Sequence, residues 1–115
     1  MATVSIRSTT DISRTRNTVH KLLLAQQCKP NLAFRSVTAM NILSEALLRL
    51  DVVINLDIGV IYGSERKLVE MSCIPDLGCG KTTHFDEMKA LLALVVNDVQ
   101  IAQHGNCLSI YMRLW

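Results

Sequence analysis

The sequence predicts an α+β fold: a two-layer sandwich with a mixed, mainly antiparallel sheet and three helices on one face, in the order β-α-α-β-β-α-β-β. Three observations carry that prediction. Between residues 12 and 50 the apolar side chains recur at three- and four-residue spacing, the period of a helix. From Ile54 the period drops to two, which is that of a half-buried strand. Short polar turns join the alternating stretches, so neighbours pair antiparallel and leave one sheet face for helices to cover.

Each element has its own local signal. Residues 3–7 alternate Val4 and Ile6 with polar neighbours and read as a strand. Ser8-Thr-Thr-Asp11 offers helix-capping side chains. A helix then runs to about residue 27, with Ile12, Val19, Leu22, Leu23 and the stem of Arg16 facing inward. Lys29-Pro30-Asn31 breaks it. A second helix spans residues 32–50, with the stripe Phe34, Val37, Met40, Leu43, Leu47 and Leu48. Ser44 sits inside that helix, where its hydroxyl is expected to bond a carbonyl one turn back. Residues 54–62 and 67–74 are strands around a hairpin turn, Gly63-Ser-Glu-Arg66, with Val69, Met71 and Cys73 on one face. Residues 75–83 form a glycine-containing loop, and Thr83 with Asp86 resembles a capping pair for a third helix over 84–96. Phe85, Met88, Leu91, Leu92, Val95 and Val96 are its expected buried face. Residues 99–103 and 107–114 close the chain as a hairpin across His104-Gly-Asn106. On the open sheet face Val53, Ile61, Leu68 and Ile74 are apolar, which suggests a self-association surface and a possible homodimer.

Length and composition set the bounds. A chain of 115 residues, half of them apolar and 19% charged, supports one globular domain over 1–115. Mean hydropathy is +0.27, yet the longest purely apolar run is residues 90–96, far short of the ~20 residues a membrane span needs. The first residues lack the apolar core of a secretory leader, so a cytoplasmic location is expected. Residues 1–40 carry six cations and one anion, a balance of +5, whereas residues 41–115 balance at −3. The basic part suits an acidic protein partner. It has no run of Lys or Arg and one aromatic, Phe34, so nucleic-acid binding is not expected. Cys28, Cys73, Cys79 and Cys107 show no C-x-x-C spacing and no companion histidine, which argues against zinc. They read as reduced thiols, with Cys73 and Cys107 at buried alternating positions.

Chemistry concentrates in Asp76-Leu-Gly78-Cys-Gly80-Lys81-Thr82-Thr83. Gly80-Lys81-Thr82 matches the tail of a P-loop, in which Lys81 and Thr82 would meet phosphate. That motif requires glycine where this chain has Pro75, and it needs a parallel βαβ frame. Asp76-Leu-Gly78-Cys-Gly80 also matches D-x-G-x-G. With Thr9-Thr-Asp11-Ile12 before the first helix, Thr38-Ala-Met-Asn-Ile-Leu-Ser44-Glu45-Ala46 on the second, and His104-Gly105-Asn106-Cys107 in the closing hairpin, the chain resembles the GHKL ATPase superfamily over nearly its whole length. The similarity is to the small anti-sigma-factor and switch-protein serine kinases of bacterial stress and sporulation pathways.

The resemblance implies a GHKL ATPase-like fold and roles for particular residues. Glu45 matches the glutamate that polarises the attacking group. Asp76 matches the aspartate that bonds the adenine amino group, with Gly78 and Gly80 beside it, so the resemblance implies a site for ATP or ADP. Arg49 stands where the family has its magnesium-holding asparagine, and a guanidinium coordinates no cation. The glycine-rich lid is also missing, so no magnesium site is expected. Without these parts phosphoryl transfer loses its main electrostatic stabilisation. An i,i+4 ion pair is expected between Glu45 and Arg49. The leading expectation is an anti-sigma-factor-like regulator that binds a sigma factor or a STAS-type antagonist through Arg14, Arg16 and Lys21. The alternatives are an active ATP-dependent serine/threonine protein kinase and a non-catalytic structural or self-associating subunit.

Overall fold

The computed structural model describes residues 2–63, 65–77 and 85–115. Its elements follow the expected order: β1 (Ala2–Ile6), α1 (Thr9–Ala25), α2 (Pro30–Leu48), β2 (Ile54–Tyr62), β3 (Lys67–Cys73), α3 (Asp86–Ala93), β4 (Asp98–His104) and β5 (Cys107–Leu114). The five strands form one sheet in the order β1-β2-β3-β5-β4. The expected mixed sheet is corrected: every neighbouring pair is antiparallel. Two of the four pairings, β2 with β3 and β4 with β5, are hairpins closed by short turns, whereas β1 with β2 spans both long helices and β3 with β5 spans α3 and β4.

Alternation fixes which face is covered. Ile54, Leu56 and Ile58 of β2, Val69, Met71 and Cys73 of β3, and Leu108, Ile110, Met112 and Leu114 of β5 are buried. They join one core with Val19 and Leu23 of α1, Met40, Leu43 and Leu47 of α2, and Met88 and Leu92 of α3. The intervening positions form polar rows on the other face. Thr3 donates to Asp57 at 2.6 Å, and Ser5 donates to Asn55 at 2.7 Å. The Tyr111 hydroxyl donates to Glu70, which also pairs with Arg113 at 2.8 Å. The four apolar residues expected there do not make one patch. Ile61 pairs with half-buried Leu68 at one end, while Val53 and Ile74 line a cavity elsewhere.

The helices rotate slightly from expectation. The buried stripe of α1 is Ile12, Thr15, Val19 and Leu23, so Arg16 is exposed and Leu22 half-buried. At 100° per residue, 12-15-19-23 keeps one line on the sheet, and 16 falls beyond its edge. In α2 the stripe passes through Ala33, not Phe34, which is 67% exposed. Counting back four residues from Val37 reaches 33, and the small alanine fits the closed space. Ser44 donates to the Met40 carbonyl at 2.7 Å, as its mid-helix position predicts. The third helix is shorter than the expected 84–96: it begins after Phe85, which carries no capping hydrogen bond. Leu91 is exposed, and Val95 and Phe85 are half-buried. Thr83 of the expected capping pair lies outside the described residues. Cys107, expected inside, is exposed, because it lies one residue from the buried Leu108 on the alternate face.

Two glycines have steric reasons. The Gly63 N–H donates to the Arg66 carbonyl at 2.9 Å to close the β2–β3 turn, and a Cβ on Gly63 would sit 2.9 Å from that oxygen. Gly105 has φ +60°, the first central position of a two-residue hairpin loop between His104 and Cys107.

Candidate functional site

Glu45 lies in the second half of α2 with its side chain exposed. Helical spacing puts it on one face with Ile42, Ala46 and Arg49. That face and the start of α3 enclose a cavity of about 280 Å³, completed by Phe85, Glu87 and Met88. Arg49 closes α2. The ion pairs among the described residues join Arg14 to Asp11 and Arg113 to Glu70, and the expected Glu45–Arg49 pair is not formed. Both side chains are exposed at the helix end, where the gain from such a pair is small beside the side-chain entropy it costs.

Asp76 stands just beyond β3. It forms a single antiparallel bridge with Cys107, flanked by Leu77 N–H donating to the Asn106 carbonyl at 2.8 Å and Leu108 N–H donating to the Pro75 carbonyl at 3.2 Å. Pro75 and Leu77 are buried, and alternation turns Asp76 to the exposed side. It lines a cavity of about 500 Å³ with Asp51, Val53, Asn55 and Ile74. Glu45 and Asp76 therefore line different cavities. Gly78, Gly80, Lys81 and Thr82 lie outside the described residues.

The third set of expected residues is on α1. Arg14, Arg16 and Lys21 are all exposed; Arg14 and Lys21, seven positions apart, lie opposite the buried stripe, and Arg16 lies on its flank. Asp11 accepts hydrogen bonds from the Arg7 N–H at 2.9 Å and from the Arg14 guanidinium at 2.5 Å. These contacts, the backbone one foremost, hold its carboxyl below the usual carboxylate range. Arg16 and Lys21 make no ion pair among the described residues. The outward side of α1 is thus a cationic strip of Arg14 and Lys21, with one carboxylate at its start and Arg16 on the flank.

Sequence reasoning did not place Phe85, Glu87 and Met88 beside Glu45. About forty positions separate them along the chain, and only the packing of α3 on α2 brings them together. Among the described residues, no helix is long and apolar enough to cross a membrane. No protein-family model matches this chain, and no curated protein matches it.

Proposed function

We propose that this chain is an anti-sigma-factor-like regulatory module of GHKL ATPase type, which acts by binding a protein partner and whose nucleotide site is degenerate. The observation that carries this reading is the cationic strip of α1, which Arg14 and Lys21 form on the side away from the core, with Arg16 exposed on its flank. Such a strip fits an acidic surface on a sigma factor or a STAS-type antagonist, since charge complementarity chiefly raises encounter rate and selectivity. Two further observations support it. Arg49, which holds no cation, shares the cavity of Glu45. Glu45 and Asp76, which a kinase would use on one nucleotide, line separate cavities.

The test has two arms. Sigma factors and STAS-domain proteins are passed over the immobilised chain and over Arg14→Glu/Arg16→Glu/Lys21→Glu. One acidic partner is expected to bind the first and escape the second, with the association rate falling as salt rises. The chain and Asp76→Asn are also titrated with ATP and ADP, with and without magnesium. Magnesium-dependent ATP binding lost in Asp76→Asn, together with phosphate transfer to a serine of the partner, would overturn the reading in favour of an active kinase.

A further inference from the structure

A cavity of about 600 Å³ opens where the α1–α2 junction meets the β2–β3 turn and the end of β5. Along α2 it is about 20 Å from Glu45, at 1.5 Å per residue. Lys29, Arg35, Arg66 and Lys67 line it, against one carboxylate, Glu65. Two of the four cations are fixed by hydrogen bonds to backbone and amide oxygens. Lys67 donates to the carbonyls of Gln26 and Gln27 at 2.8 and 3.0 Å. Arg35 donates to the Val95 carbonyl at 2.9 Å, and to the Trp115 backbone oxygen and the Asn97 side chain at 2.8 Å each. These bonds hold the charges in place. Lys29 and Arg66 are exposed, and their side chains make no hydrogen bond or ion pair among the described residues. Trp115, 40% exposed, adds a flat apolar wall.

A concave site lined by one sign of charge concentrates counter-ions of the other. The volume falls within the ~300–1,000 Å³ typical of small-molecule sites. Four cations face one side-chain carboxylate, and even with the Trp115 backbone oxygen counted as a second anion two positive charges remain, which a monocarboxylate does not balance and a phosphoryl or diphosphoryl group does. A guanidinium fork such as that of Arg66 also matches phosphate geometry. We infer that this cavity binds a phosphate-bearing small molecule, with Lys29 and Arg66 contacting the phosphoryl oxygens while Arg35 and Lys67 supply fixed positive field.

Trp115 is the only tryptophan of the chain, so its fluorescence reports on the cavity. The full chain is titrated with inorganic pyrophosphate and, separately, with acetate at matched ionic strength. Pyrophosphate is expected to give a saturable change that weakens with added salt, and acetate none. Lys29→Ala and Arg66→Ala are each expected to weaken pyrophosphate binding by about fivefold or more, whereas Lys89→Ala on α3 leaves it unchanged. Both cavity substitutions are at exposed positions, and circular dichroism verifies that each variant is folded. The absence of a saturable response at millimolar pyrophosphate overturns the inference. So does undiminished binding in the Lys29→Ala/Arg66→Ala double variant. ATP also carries phosphates: binding kept in Asp76→Asn but lost in Arg66→Ala belongs to this cavity and not to the loop after Asp76.

Discussion

Asp11 joins two elements through one carboxylate. It accepts the Arg7 N–H just after β1 and the Arg14 guanidinium one turn into α1, so the entry to the helix is held from both sides. An acidic residue in a first helical turn also complements the positive end of the helix dipole. Its carboxyl is held below the usual 3.8, so the folded state binds that proton less readily than the unfolded chain. The stabilisation is therefore present above about pH 4 and is lost as pH falls through the lower folded value. Asp11→Asn is expected to melt below the parent protein at neutral pH, with the gap closing as the pH drops to about 2. A gap in Tm that stays constant with pH would contradict this account. The thiols show environment acting in the other direction. Burial and the nearby Asp57 push the Cys73 thiol up to about 12, which leaves it protonated and inert, while Cys107 is exposed one strand away. The same scale explains where sequence reading missed. Arg16 and Phe34 each sit one position off the stripe that packing selected, at Thr15 and Ala33. A tolerance of one residue in helical phase cannot be read from apolar spacing when the neighbouring position is small.

Arg35 ties elements together in a way no local pattern announces. From the second turn of α2 it reaches the α3–β4 turn at Val95 and Asn97 and the end of β5 at Trp115. Asn97 in turn accepts the Trp115 N–H at 2.9 Å, so one guanidinium and one amide fasten three elements. Arg35→Ala should cost about 1–3 kcal/mol in urea unfolding, because it strands the partly buried Val95 carbonyl as well as removing the donors. Arg35→Lys should recover less than half, since an ammonium cannot reproduce the fork. Full recovery by lysine would mean that charge, not geometry, holds the junction. Lys67 plays a similar part at the end of α1, where it caps two carbonyls and lies 5.3 Å from the Tyr62 ring centre. The two long helices were legible but the break between them was placed late: it covers residues 26–29, and Pro30 and Asn31, expected as breakers, open α2, where a proline's missing N–H costs nothing. The length of α3 was not legible, because residues 94–96 are apolar like the helix face before them but lie outside the helix.

At the scale of the whole molecule one apolar cluster joins all three helices to the sheet, so the chain should unfold as a unit. Met71, fully buried at the centre of β3, tests this. Met71→Ala should lower stability by about 2–5 kcal/mol with fluorescence and circular dichroism transitions still coincident. Separate transitions would show that the helical layer and the sheet unfold independently. The sequence by itself determined the element order, the hairpin turns and the alternating buried face of β1, β2 and β3, because those depend on spacing between near neighbours and on turn chemistry within a few residues. It also located the charge imbalance of residues 1–40, but not that Arg16 is exposed on the flank of α1. Only the tertiary structure decided which distant residues share a cavity. Glu45 meets Phe85 and Glu87, Asp76 meets Asp51 and Val53, and Lys29 and Arg35 meet Arg66 and Lys67. Those meetings follow from strand order and helix docking. A side chain's neighbours across two layers are set by the packing of the whole core, not by any period along the chain.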